Sequence, residues 1–345
     1  MIRHGRPTVA EEDAAAVARV VRSGALAQGP EVAAFEAAVA ERLGVEAGAA
    51  VASGSAALEL ALRTLGVGPG DDVLIPTFAC DALYHAVTRC GARPVLVDAD
   101  PATLSLCPGD ARRRLTARTR AVIVPHAFGL AAPLGPWLAL GPPVVEDCAQ
   151  ALGAVRDGRP VGSRGAAAVC SFGATKMVTT GEGGLVGGGA GLVARVREAR
   201  DYDERVDLAP RFNYKLTDIQ AALGRSQLAR LDAFVARRRV IADRYRRRLA
   251  GLPVRLPAEA GDAHVYHRFV VEVDRPLQAV IAALERRGVS ARRPVFRPLH
   301  RALGLDGYPE ADRLWARALS LPCYPALTDA EVDQVAAALG EVLAG

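Results

Sequence analysis

Ala121-Val122-Ile123-Val124-Pro125-His126 and Pro143-Val144-Val145-Glu146-Asp147 bracket the stretch on which the fold turns. From Ala121 to Val145 there is no Asp, Glu, Lys or Arg, a run long enough to span a bilayer. Prolines at 125, 133, 136, 142 and 143, with three glycines, rule out one continuous helix. The stretch reads as two buried strands joined by a loop, and the chain is not expected to be a membrane protein. Strands that are apolar throughout, rather than alternating, belong to sheets covered on both faces.

Outward from this stretch, similar short apolar runs recur at Ala49 to Ala52, Val73 to Pro76, Pro94 to Val97 and Ala167 to Ser171, several separated by helical patterns. That alternation predicts an α/β fold with a mainly parallel sheet flanked by helices. Thr8-Val9-Ala10-Glu11 has capping-box spacing and predicts a helix through about Arg22. Gly29-Pro30 opens another from Glu31 to Leu43, and Ser53-Gly54-Ser55 opens a third that runs to Leu65. A long amphipathic pattern runs from Thr217 to about Arg248, followed by a strand at Val270 to Val273 and a helix at Leu277 to Arg287. The 345 residues suggest two domains. The expected division is a large α/β domain over 1–240, with an N-terminal helical segment, and a small C-terminal α+β domain over 241–345.

The net charge of +5 is modest, and Arg112-Arg113-Arg114, Arg237-Arg238-Arg239 and Arg246-Arg247-Arg248 read as solvated helix faces. No aromatic residues interleave with them, which argues against nucleic acid as a partner. The six cysteines show neither a CxxC pair nor metal-ligand spacing, and Cys148 and Cys170 fall in apolar runs. With an N-terminus that lacks an apolar core, this points to a reducing cytoplasm and to no metal.

Of the 43 Lys and Arg residues only Lys176 and Lys215 are lysine. Where only positive charge is needed this chain uses arginine, so a surviving lysine is a candidate for work a guanidinium cannot do. A deprotonated lysine amine attacks a carbonyl and forms a Schiff base, whereas arginine stays protonated. Lys176 follows Ser171-Phe172-Gly173-Ala174-Thr175 and precedes Thr179-Thr180-Gly181-Glu182-Gly183-Gly184, which reads as flexible. Ser53-Gly54-Ser55, at a helix start, offers N–H groups and hydroxyls to a phosphate, or is an ordinary cap. Asp147, at the end of an apolar strand, needs a cation or a capping role, and Gln150 follows three residues on. A phosphate cradle, a strand-end Asp and a reactive Lys are the three attachments that pyridoxal 5′-phosphate requires. No GxGxxG, GxxxxGK[ST] or GxSxG occurs to favour dinucleotide, P-loop or hydrolase chemistry.

These residues sit in a longer series. It includes Ser23-Gly24, Gly29-Pro30-Glu31-Val32, Phe35-Glu36, Ser53 to Leu58, Val145 to Ala154, Ser171-Phe172, Lys176, Asn213 to Gly224 and Leu319-Ser320-Leu321-Pro322. In that order the chain resembles the DegT/StrS family of pyridoxal-phosphate-dependent sugar aminotransferases, of the fold type shared with aspartate aminotransferase. The resemblance implies that Lys176 binds the cofactor as a Schiff base and that Asp147 partners its pyridine nitrogen. It implies that Ala149 lies under the ring and that Gln150 bonds the phenolic oxygen. Ser55, Ala56 and Ser171 map to phosphate contacts, and Asn213 to one reaching in from a neighbouring subunit, hence a homodimer with shared active sites. An amino donor such as L-glutamate and a keto-sugar, nucleotide-linked, are the implied substrates.

Two positions depart from the family pattern. Cys80 stands where relatives carry an aromatic residue stacked on the ring, leaving Phe78 or Tyr84 to cover that face. Leu130 follows His126-Ala127-Phe128-Gly129 where relatives often have Gln, and His126 is a candidate for the substrate pocket. Lys215 replaces a common arginine, as a contact near the shared site or by chance. Arg292 and Arg293 are candidates for holding a donor carboxylate or sugar phosphate, or are plain surface. An amino-acid transaminase, aldolase or lyase would share Lys176 and Asp147. A non-catalytic regulator on the same fold would not need the amine.

Overall fold

The computed structural model describes residues 1–344. A seven-stranded sheet, in the order β1-β9-β8-β5-β4-β2-β3, organises the larger part. Its strands are β1 (Ala47–Val51), β2 (Asp72–Pro76), β3 (Arg93–Val97), β4 (Thr119–Pro125), β5 (Val144–Asp147), β8 (Ala167–Ser171) and β9 (Gly184–Gly188). A hairpin of β6 (Val155–Arg156) and β7 (Arg159–Pro160) lies between β5 and β8. Only β9 runs against its neighbours, pairing antiparallel with both β8 and β1. The uncharged stretch forms β4 and β5, which pair in parallel from Val122↔Val144 to Pro125↔Asp147.

The sheet is buried on both faces, as its continuous apolar strands require. Along β8, Ala167 and Val169 join one core cluster while Ala168 and Cys170 join the opposite one. Helices α3 (Gly54–Thr64), α4 (Ala82–Arg89) and α7 (Ala190–Ala199) cover the first face, while α2 (Pro30–Leu43) and α8 (Asp218–Leu228) cover the second. On that second side Phe35 meets Phe172 edge-on at 4.9 Å. Asp218, at the start of α8, caps α2 from far along the chain, accepting the N–H groups of Gly29 at 2.8 Å and Val32 at 2.9 Å. The shorter helices α5 (Pro108–Arg114) and α6 (Gly135–Leu138) flank the β3–β4 edge.

The first helix, α1 (Glu11–Ser23), starts later than the capping-box spacing predicts. Asp13 accepts the Ala10 N–H at 2.9 Å, so that pair closes the helix start, and the Thr8 hydroxyl has no partner. The long pattern from Thr217 is two helices, α8 and α9 (Leu231–Leu249), broken at Ala229-Arg230. The expected boundary at residue 240 falls inside α9. A second sheet, β10 (Val254–Arg255), β11 (Phe269–Val273) and β12 (Ala318–Leu321), packs with α9, α10 (Leu277–Arg286) and α13 (Asp329–Ala344) in a separate core. Ile2 belongs to that core, bridging in parallel to Val289, so the N-terminal residues lie with the C-terminal part. Helices α11 (Leu299–Ala302) and α12 (Pro309–Arg317) instead send Leu299, Ala311 and Leu314 into the core on the first face of the main sheet. Among the described residues no helix is long and apolar enough to cross a membrane.

Candidate active site

The strands β2, β4 and β5 end at Pro76, Pro125 and Asp147, and all three residues line one cavity of about 320 Å³. Sites in open α/β sheets form at such carboxyl ends. Asp147, Gln150, Lys176 and Cys80 open into the cavity. Lys176 closes a short turn in which its N–H donates to the Gly173 carbonyl at 3.0 Å. Its amine has no ion-pair partner among the described residues, in a chain that pairs most of its cations.

Asp147 accepts one hydrogen bond, from the Ala149 N–H at 3.0 Å. Burial raises its carboxyl pKa above the ordinary value, and that N–H, Lys176 and His126 only partly offset the burial. A buried carboxylate left in this condition is a site for a cationic partner. The side-chain oxygen of Gln150 accepts the Phe128 N–H at 2.8 Å, which leaves its amide N–H groups for a ligand. Phe128 reaches this position through a left-handed backbone, φ 57.

A second corner adjoins the first. Ser53 caps α3, its hydroxyl accepting the Ala56 N–H at 3.1 Å and its carbonyl the Ala57 N–H at 3.0 Å. The N–H groups of Gly54 and Ser55 lie ahead of the helical ladder and remain available. A Cβ at Gly54 would lie 2.7 Å from the Ser171 side chain, so glycine is what lets the helix start close on β8. Ser55, Ala56 and Ser171 therefore share one corner, and a Cβ at Gly173 would sit about equally far from Ser171 Oγ, 3.9 Å, and Lys176 Cγ, 4.0 Å. An anion cradle beside a lysine and an unpaired buried carboxylate fits pyridoxal 5′-phosphate.

Three expectations need correction. His126 does not line the Lys176 cavity. Its Nδ1 accepts the Ala132 N–H at 3.0 Å and its Nε2 donates to Glu146 at 3.0 Å, so both ring nitrogens are spent inside the protein. Tyr84 also stays outside, packed edge-on with His85, whereas Phe78 lines the wall beside Cys80. The run from Thr179 to Gly184 is packed at both ends, with only Gly181 and Glu182 exposed. Thr179 and Thr180 are buried, Thr180 bonds the Phe172 carbonyl through its N–H, and a Cβ at Gly184 would lie 2.4 Å from the Ser53 carbonyl.

Cys80 is exposed to the cavity, and its thiol pKa is raised by loss of solvation and by Asp147, while Lys176 works to lower it. Asn213 is exposed and absent from the cavity of its own chain; its neighbour Tyr214 accepts the Ala52 N–H through its carbonyl at 2.7 Å. Lys215 pairs with Asp201 at 2.7 Å and with Asp203, which accounts for it structurally. Arg293 stacks on Trp315 and bonds Gln278. Sequence reasoning missed Phe128, His267 and Arg268, which complete the wall. Their only signal was their place just before β11 and after β4.

The fold and this site define a pyridoxal-phosphate aminotransferase of the aspartate aminotransferase type. Residues 7–340 match the model of the DegT/DnrJ/EryC1/StrS aminotransferase family, and the chain belongs to that family. It is 36% identical over 333 residues to the GDP-perosamine synthase of Caulobacter vibrioides, covering 90% of this chain and 89% of that protein. Among solved structures, the aminotransferase TlmJ of Streptoalloteichus hindustanus is 34% identical with a TM-score of 0.94, over 100% of this chain and 99% of the other. DesV of S. venezuelae is 35% identical with a TM-score of 0.90, over 96% and 94%. The enzyme is thus a pyridoxal-phosphate-dependent transaminase.

Proposed function

We propose that this sugar aminotransferase moves an amino group from L-glutamate to a nucleotide-linked keto-sugar, with Lys176 as its catalytic residue. The observation that carries the reading is the placing of the unpaired Lys176 amine and the under-satisfied Asp147 carboxylate in one cavity at the strand ends. When bound, pyridoxal phosphate supplies the electron sink for a carbanion at the donor's α-carbon. Lys176 holds the cofactor covalently at rest. Once displaced, its amine would take a proton from the donor α-carbon and return it to the cofactor carbon to which Lys176 had been joined, as general base and then acid. Asp147 keeps a proton on the pyridine nitrogen, and Gln150 donates its free amide N–H to the phenolic oxygen. Ser55, Ala56 and Ser171 would hold the phosphate, and Ala149, Cys80 and Phe78 would pack against the ring. The same residues serve the second half of the cycle, in which the keto-sugar is aminated.

Asn213 completes the phosphate site of a second copy, so the working unit is a homodimer with shared sites. Its exposure supports this, as do Val206 and Leu208 on the same segment, apolar side chains that stand fully exposed. The test mixes inactive Lys176→Ala chains with inactive Asn213→Ala chains under conditions of subunit exchange. Random pairing makes about half the dimers mixed, each with one intact site, so activity should recover to roughly a quarter of wild type. Mixed dimers without activity would place Asn213 within its own chain's site.

A further inference from the structure

A second cavity, of about 410 Å³, shares Thr175, His267 and Arg268 with the Lys176 cavity. It carries five guanidinium groups: Arg3 and Arg6 from the N-terminal segment, Arg238 from α9, Arg268 just before β11, and Arg292 from the loop after α10. No Asp or Glu lines it, and none of the five makes an ion pair among the described residues. Elsewhere most of the arginines have acid partners, as Arg244 and Arg248 share Asp333 and Arg197 and Arg200 share Glu36. Arg238 is not part of a solvated helix face, as its sequence setting suggested: it is buried and donates only to backbone carbonyls, those of Tyr266, His267 and Cys323. Its Nε, the Nε of Arg268 and the Nδ1 of His267 are buried without any partner.

Buried donors without acceptors cost free energy, and so do crowded cations without an anion. Burial, then repulsion from Arg292 and Arg238, pushes Arg268 below its ordinary pKa. Burial and the charges of Arg268 and Arg292 push His4 down to about 3, so it adds no further charge. The cavity has the volume of a small-molecule site. It also lies beside the reacting lysine: a separate small crevice that shares Arg6 and Arg238 with it is lined by Lys176.

We propose that this pocket is an oxyanion subsite of the active centre, where the arginines hold a carboxylate or phosphate of one reactant while its reacting carbon lies at Lys176. Guanidinium forks suit both groups. The proposal rests on the reading of the Lys176 cavity as the place of reaction. The two sources are the side-chain carboxylate of the amino donor and the diphosphate of a nucleotide-linked acceptor.

The test titrates the cofactor-loaded enzyme with glutarate and with inorganic pyrophosphate by calorimetry; loading keeps either anion out of the Ser55–Ser171 corner. Wild type should bind at least one of them at one site per chain. The variant Arg3→Gln/Arg292→Gln, both positions at the exposed rim, should bind it about tenfold more weakly or worse. Arg6→Gln serves as a second variant, and retained visible absorbance of the lysine-bound cofactor reports folding. If glutarate is the ligand, KM for glutamate should rise in the variant while KM for the keto-sugar holds; if pyrophosphate, the reverse. Binding of neither anion to wild type, or equal binding by the variants, would overturn the subsite. Failure of wild type to bleach on glutamate would instead overturn glutamate as the donor at the Lys176 cavity, with the anion result still legible.

Discussion

Glu146 and Asp147 are consecutive residues on β5, both buried, yet the structure treats them in opposite ways. Their side chains leave the strand on opposite faces. Glu146 is saturated: it accepts the N–H groups of Gly162, Arg164 and Gly165 at 2.8, 2.8 and 2.6 Å and the His126 ring at 3.0 Å. Burial works to raise its pKa, and the donors, His126 first, more than offset it, leaving Glu146 below the ordinary carboxylate range. Asp147 has one donor and is held above its ordinary value by burial. A carboxylate whose acceptors are all filled from within is structural. One that is buried and short of partners is kept for a ligand. The same comparison removes a competing reading, because Glu146, His126 and Cys148 are close enough to suggest a metal site, but the carboxylate and imidazole are already occupied.

The largest expected effect that would sharpen this contrast is on turnover. Asp147→Asn should lose on the order of ~3 kcal/mol of transition-state stabilisation, a hundredfold or more in kcat, since an amide cannot hold a proton on the ring nitrogen. The cofactor-free variant should melt no lower than wild type, because a strained carboxylate has been neutralised. A normal kcat would make Asp147 a structural cap and erase the distinction. The next effect is on stability. Glu146→Gln turns an amide toward N–H donors and should cost about 3 kcal/mol, read from denaturant unfolding. Turnover per folded molecule should change little.

The pH dependence carries the opposite signs. Glu146 titrates low when folded, so its contribution is complete above the ordinary carboxylate pKa and is lost as pH falls through the folded value. Asp147 titrates high when folded, so it costs stability at neutral pH, and that cost disappears as pH falls through the raised value. Acid unfolding curves of the two variants against wild type should therefore diverge in opposite directions.

The strands of the main sheet were legible because apolar runs bounded by Gly and Pro leave a strong local pattern. The site was legible at Lys176, Asp147 and Gln150 because each type stands out against its surroundings: a lysine among arginines, an acid after an uncharged stretch. What was hidden depends on contacts distant in sequence. β9 was missed because Gly184, Gly187 and Gly188 resemble a flexible loop. In fact glycine is needed there for the close approach of Ser53. The break between α8 and α9 has neither Gly nor Pro to mark it. His126 looked like a pocket residue because nothing in its neighbourhood announces Glu146 as its partner. The arginine pocket was legible only at Arg292, because its five members come from four separate segments.

The central claim is that the Lys176 amine is the nucleophile and proton carrier of a transaminase, not a surviving surface charge. Visible absorbance of the purified enzyme on addition of glutamate tests it directly. Wild type should show the colour of a lysine-bound cofactor and bleach with glutamate, whereas Lys176→Ala and Lys176→Arg should lack that absorbance and produce no amino sugar. Wild-type bleaching and turnover by Lys176→Ala would contradict the account.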